Sequence, residues 1–440
     1  MTTKNLNRRD FLKMAALAGI GAGLAACKGQ ATQEPTVEVP PTPEPVTVTV
    51  WGWWGDRMKF FQDGGDRYKQ KQPNVTVEVV TVDQDLWQKV FASVPAGTGP
   101  TLCKMITSNY FKLRAENMVI ELDPVTFPDS FLKEKFPNHN WQGYGRYVMP
   151  EGEQTVIFAY NKKMMEDAGL DPNKPPRTWD EFFLAAQKMT KVDANGTLTL
   201  EGFAYDDWLP FHNPLFQKGG NAIKHEGDQL IANFNSPEME AAMQFFVDLA
   251  QKYKAWDKAF PYFTDAIGNR QAATTICEAW GHGVWVSDFP EVYAELGFDV
   301  PPTPTGEASP YYGRKNMVLG LASLINRPEN EVTAGQAFLE YFYKEDLEGQ
   351  LAVSSISGLV PAHAENLVNP KVTGDPFFAL GAKLSPKCYD IVEISGPFSD
   401  LQYTLMDMLF VDNKSVKETL AFGQTEMEKE ITAGDITAMY

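Results

Sequence analysis

At 440 residues, the chain is long enough for two or three domains with sizeable cores. Its 43% hydrophobic and 22% charged residues exclude wholesale disorder and a bundle of membrane spans. Lys and Arg number 39 against 57 Asp and Glu, a formal charge of −18, which repels phosphate backbones and argues against nucleic acid as a partner. Aromatic residues make up 12% of the chain, a surplus over packing needs that leaves rings for a binding surface.

The N-terminus reads as an export signal. Arg8-Arg9-Asp10-Phe11-Leu12-Lys13 precedes an apolar run over residues 14–24, too short for a bilayer that needs ~20 residues per transmembrane helix. The paired arginines resemble a twin-arginine signal, and Leu24-Ala25-Ala26-Cys27 resembles a bacterial lipoprotein cleavage box. Residues 1–26 are therefore expected to be a signal peptide and Cys27 the lipidated mature N-terminus, anchored to the outer face of the cytoplasmic membrane. Residues 27–45 hold Pro35, Pro40, Pro41, Pro43 and Pro45 with no helical or strand period, the composition of an extended tether. Cys103, Cys277 and Cys388 allow at most one disulfide. Those cysteines and the five isolated histidines, His139, His212, His225, His282 and His363, form no metal-ligand spacing, so neither a metal nor a cofactor is expected.

The body alternates strands and helices. Val46-Thr47-Val48-Thr49-Val50 alternates apolar and polar residues, residues 75–82 repeat the pattern, and 57–71 is helix-compatible, which together predict a β-α-β unit. Thr178 with Glu181 forms a capping-box signature ahead of Phe182, Phe183, Ala186 and Met189 at helical spacing. Asn195-Gly196 predicts a hairpin turn. Ser236-Pro237-Glu238 opens another helix, with Met239, Ala242, Met243 and Phe246 as its buried stripe. Residues 272–277 read as a buried strand. Such interleaving predicts α/β lobes whose binding crevices lie at the carboxyl ends of strands.

Several segments, in order, resemble bacterial extracellular solute-binding proteins of ABC importers, of the maltose and multiple-sugar type. They are Thr49-Val50-Trp51-Gly52-Trp53-Trp54-Gly55, Gln72-Pro73-Asn74-Val75, the Val94-Pro95-Ala96-Gly97 stretch, Tyr160-Asn161-Lys162-Lys163-Met164 with Ala168-Gly169-Leu170, and Pro176-Arg177-Thr178-Trp179-Asp180-Glu181-Phe182. Gln217-Lys218-Gly219-Gly220, Phe234-Asn235-Ser236-Pro237-Glu238, the 272–280 segment, Pro302-Thr303-Pro304-Thr305-Gly306 and Gly358-Leu359-Val360-Pro361-Ala362 follow. Three departures stand out: Thr101 where the family usually has Asp, Glu278 for the usual Gly, and Ser108-Asn109 where maltose binders carry an acidic-basic pair. The ligand is therefore not expected to bind as maltose does.

The resemblance implies a two-lobed periplasmic-binding-protein-like α/β fold with a central cleft and hinge crossovers. Residues 46–154 plus about 310–358 would form one lobe, and 157–308 plus about 359–440 the other. It implies a monomer that captures a sugar or oligosaccharide and delivers it to ABC permease subunits, with no enzymatic activity. Sugars stack their C–H faces on aromatic rings and offer hydroxyls to carboxylates, amides and Arg. The expected ligand contacts are accordingly Trp53, Trp54 and Asp56 after the first strand, Ser108 and Asn109 at the divergent pair, and Glu153 and Gln154 at the first crossover. Asp207 and Trp208 lie on a segment that lines the cleft in relatives, Trp280 ends the 272–277 strand beside Gly281 and Gly283, and Tyr312 and Arg314 follow the second crossover. Two rivals stay open. A binder of glycerol phosphodiesters or other anions would need basic residues at the cleft, where only Arg314 and Lys315 offer themselves. A secreted glycoside hydrolase would use Glu151 and Glu153, but residues two apart on one strand do not flank a bond.

Overall fold

The parallel strand pair Val46–Gly52 and Val75–Thr81 forms as its alternation predicts, with Val48, Val50, Val75 and Val77 turned into the core. In the computed structural model, the described residues are 44–53, 55–82, 85–205, 210–227, 229–308, 310–391 and 396–433. The signal, Cys27, nearly all of the tether, Trp54, Asp207 and Trp208 lie outside them. All elements below belong to the unit Pro45–Tyr440.

The two Val strands belong to a five-stranded sheet ordered Val75–Thr81, Val46–Gly52, Leu102–Lys104, Leu321–Leu324, Val119–Ile120. The first three run parallel, and Leu321–Leu324, arriving late in the chain, pairs antiparallel with both neighbours. The helix Gly55–Lys71 connects the first two strands, burying Met58, Phe61 and Tyr68 at helical spacing. Gly65 lets it lie close on the sheet: a Cβ there would meet the Val77 side chain at 2.6 Å. The helix Glu329–Lys344 adds Phe338, Leu339 and Phe342 to the same core.

A second sheet, ordered Leu296–Asp299, Ile157–Asn161, Thr274–Cys277, Ala204–Tyr205, carries the second lobe. Thr178 accepts from Glu181 N–H while the Glu181 carboxylate accepts in return, closing the capping box of the helix Trp179–Met189. Phe182, Phe183, Ala186 and Met189 of that helix are buried. Ser236 caps Pro237–Val247 as expected, and the Asn195-Gly196 turn joins the short antiparallel strands Lys191–Val192 and Leu198–Leu200. The hydrophobic cluster here also takes in Ile391, just after the strand Tyr389–Asp390, and Leu401, Leu405 and Met427 from the C-terminal helices.

A third sheet links the lobes. Pro150–Thr155 pairs antiparallel with Arg314–Leu319, flanked by Val360–Pro361 and Tyr389–Asp390. After Val156 the chain passes from this sheet into Ile157–Asn161 of the second lobe. Cys103, Cys277 and Cys388 are buried, and burial pushes the Cys388 thiol up to about 12. No helix of the described residues is long and apolar enough to cross a membrane.

Candidate ligand-binding cleft

A cleft of about 920 Å³ is lined by both lobes and the linking sheet, a volume suited to a ligand of several rings. Its residues follow from the topology, because strands of each lobe end there. Trp53 follows Val46–Gly52, Lys104 to Thr107 end or follow Leu102–Lys104, and Glu278 and Trp280 follow Thr274–Cys277. Gln154 and Asn316 come from the linking sheet, where they are register partners.

Aromatic rings from both lobes face the cleft. Trp53 and Trp87 lie with centroids 5.8 Å apart and planes at 59°, while Tyr262 and Trp280 stack at 5.9 Å and 15°. Trp280 is half-buried, its ring edge-on to Phe263 at 5.0 Å. Tyr403 and Val284 also line the cleft. Tryptophan faces and tyrosine edges of this kind bind C–H-rich surfaces.

The charges beneath the rings are paired. Lys104 bonds Glu151, both side chains 1% exposed, and the Lys104 ammonium lies 5.3 Å from the Trp53 ring centroid. Arg314 Nη1 donates to Glu278 Oε1 at 2.5 Å, and both are likewise buried. Lys315 Nζ lies 3.5 Å from Glu153 Oε2. Burial, with Glu153 nearby and only partly offset by Lys315, pushes the Asp390 carboxyl up to about 6.

Of the expected contacts, Trp53, Gln154 and Trp280 line the cleft. Asp56 and Ser108 sit in the first turns of the helices Gly55–Lys71 and Thr107–Ala115. Asn109 is half-buried and outside the lining, to which that helix contributes Thr107 instead. Glu153, 1% exposed, lies outside it too, bonded by Thr155 Oγ1 at 3.1 Å. Tyr312 is buried with Val300, Val360 and Phe377, its carbonyl accepting from Gln217 Nε2 at 2.6 Å. Arg314 lies outside the lining and bonds Glu278, which is on it. Gly281 and Gly283 do not clear space above the Trp280 indole. A Cβ on Gly281 would meet Phe263 at 2.8 Å, and Gly283 faces the Gly358 backbone. Gly358 is itself constrained: it ends the helix Leu347–Ser357 at φ 67°, where its Cβ would meet the Ala279 carbonyl at 2.7 Å.

Sequence reasoning missed Trp87, Lys104, Tyr262 and Asn316. Lys104 had a usable signal, its place at the end of a strand. Tyr262 had none, since only the fold stacks it on a ring 18 positions away.

The bacterial extracellular solute-binding protein family matches residues 51–348. A diacetylchitobiose-binding protein of Streptomyces coelicolor is 25% identical over 222 residues, 49% of each chain, so the chain spans about half the length of that relative. An sn-glycerol-3-phosphate-binding periplasmic protein of Yersinia pestis is 26% identical over 336 residues, 69% of this chain and 72% of that one. Among solved structures, a maltose/maltodextrin-binding domain from Bdellovibrio bacteriovorus bound to maltotriose superposes with a TM-score of 0.70 at 17% identity, covering 88% of this chain and all of that one. A cyclic α-maltosyl-1,6-maltose-binding protein from Arthrobacter globiformis superposes equally, at 0.70 and 21% identity, covering 89% and 100%. These likenesses carry the two-lobed fold, and the match over residues 51–348 carries the family: the chain belongs to the bacterial extracellular solute-binding proteins.

Proposed function

We propose that the chain captures a neutral sugar or oligosaccharide between its lobes and delivers it to the permease of an ABC importer. One observation carries this reading: a ring-lined cleft whose buried cations, Lys104 and Arg314, are already ion-paired with Glu151 and Glu278. An anionic ligand would have to compete with a buried carboxylate for either cation, and Asp85 on the lining adds repulsion. A neutral polyol with apolar faces meets no such opposition. The relatives named for diacetylchitobiose and maltotriose are consistent with it. The Yersinia relative keeps a glycerol phosphate ligand as the competing reading.

A thermal-shift screen of the mature chain against mono- and oligosaccharides and glycerol 3-phosphate tests the proposal. A ligand at 100 times its dissociation constant adds ~2.7 kcal/mol to stability. A shift by a saccharide supports the reading, and a shift by glycerol 3-phosphate alone overturns it.

Within this reading Trp53, Gln154 and Trp280 contact the ligand, with Trp54, Asp207 and Trp208 as further candidates. The lobes divide as residues 46–154 plus about 310–358, and 157–308 plus about 359–440. The protein acts as a monomer and catalyses nothing: Glu151 and Glu153, the carboxylates a glycoside hydrolase would use, are buried against Lys104 and Lys315. Cys27 is lipidated and tethers the body to the outer face of the membrane. Cys27→Ala should then release the protein into the soluble fraction with binding intact, and an unmodified Cys27 by mass spectrometry in the native host would contradict this.

A further inference from the structure

On the linking sheet, Asn316 stands opposite Gln154 in the antiparallel ladder. Both amides line the cleft and are nearly enclosed, 6% and 9% exposed. Asn316 Oδ1 is buried and, among the described residues, accepts no hydrogen bond from the protein. Enclosing an acceptor without a donor is unfavourable, so a carboxamide held this way at the base of a cleft is arranged for a donor on the ligand. The neighbouring charged groups are committed, Lys104 to Glu151 and Glu278 to Arg314. Much of the remaining lining is apolar: Met105 and Ile106 at the end of one strand, Met317 and Leu319 on another, beside the rings. Asp85, Gln88 and Thr107 add polar groups for hydroxyls, but an acyl methyl finds apolar contact on this lining that a hydroxyl in its place would not. A saccharide that carries methyl groups beside a few amide donors would match it.

We propose that Asn316, supported by Gln154, is the polar anchor of this cleft, and that the ligand is a neutral saccharide bearing acylamino groups. An amide N–H of the ligand donates to Asn316 Oδ1, and the acyl methyl lies on the apolar lining. This inference rests on the neutral-saccharide reading above. Calorimetry on the mature chain compares N,N′-diacetylchitobiose with its free-amine form, cellobiose, maltotriose and glycerol 3-phosphate. The diacetylated sugar should bind at least tenfold tighter than cellobiose or the amine form. Asn316→Leu should weaken it tenfold or more while the melting temperature holds or rises, because no protein hydrogen bond to Oδ1 is lost. Asn316→Ala supplies the same comparison if the Leu variant folds poorly. Equal or tighter binding of cellobiose, the amine form or maltotriose overturns the ligand class while leaving a sugar site. Wild-type affinity in a folded Asn316 variant overturns the anchor. Binding of glycerol 3-phosphate with no saccharide bound overturns both this inference and the reading beneath it.

Discussion

Trp280 and Trp285 lie in one helix, Trp280–Asp288, and their replacement by Ala should fail in opposite ways. Trp285 is 0% exposed, its indole N–H donating to the Thr264 carbonyl at 3.1 Å and its ring edge-on to Phe263. Truncating it removes a filled core volume and this hydrogen bond, a loss of ~3–5 kcal/mol. Trp280 is half-buried on the cleft, with Tyr262 stacked along one side at 5.9 Å, which leaves part of the ring for ligand. If a sugar face covers ~60 Å² of that ring at ~25 cal/mol per Å², the contact is worth ~1.5 kcal/mol, about tenfold in affinity. Its packing on Phe263 adds a smaller stability loss, ~1 kcal/mol. Urea unfolding and titration calorimetry on both variants separate the two effects. Trp280→Ala should bind about tenfold more weakly with a modest shift in midpoint, and Trp285→Ala should lose most of its midpoint. Wild-type affinity in Trp280→Ala together with a core-sized loss of stability would refute the assignment of that ring to the ligand.

Other consequences follow from the buried charges and the crossovers. Arg314→Met takes a buried guanidinium partner from Glu278 and should cost ~3–5 kcal/mol, most of it recovered by adding Glu278→Leu; denaturant melts that show no recovery would refute the pairing argument. Burial pushes the Glu201 carboxyl up to about 9, while the unfolded chain releases that proton near pH 4.5, so stability should fall as pH rises between those values. Glu201→Gln should therefore stabilise the fold at pH 7, by up to roughly 3 kcal/mol, and flatten the slope; a variant whose melts match those of the wild type at every pH from 5 to 8 would refute this. Because the chain passes from the linking sheet into the second lobe at Val156, a few residues can absorb a rotation of the lobes. Small-angle scattering should give a smaller radius of gyration at saturating ligand, and an unchanged profile with binding verified would argue against closure.

The local elements were legible because their signals are local. The Thr178 capping box, the Ser236-Pro237 helix start and the alternating Val strands each depend on residues within a few positions of one another, and each forms as its chemistry requires. Trp53 and Trp280 were legible as cleft residues because both follow strands at the carboxyl end. The charge network was not. Glu278 stood out only as a departure from a pattern, and nothing local ties it to Arg314, 36 positions away, or Lys104 to Glu151, 47 positions away. The placement of Arg314 shows the limit of reading by residue type. Guanidinium chemistry suits a ligand, but once strand register buries it against a carboxylate it holds the linking sheet to the second lobe.

The central claim, a neutral saccharide held in the cleft between the lobes, is tested most directly by calorimetric titration of the mature chain with maltotriose, N,N′-diacetylchitobiose and glycerol 3-phosphate at low and high salt. The account predicts saccharide binding that barely changes with salt, since rings and amides carry it. Tighter binding of glycerol 3-phosphate, weakening as salt rises, would contradict it.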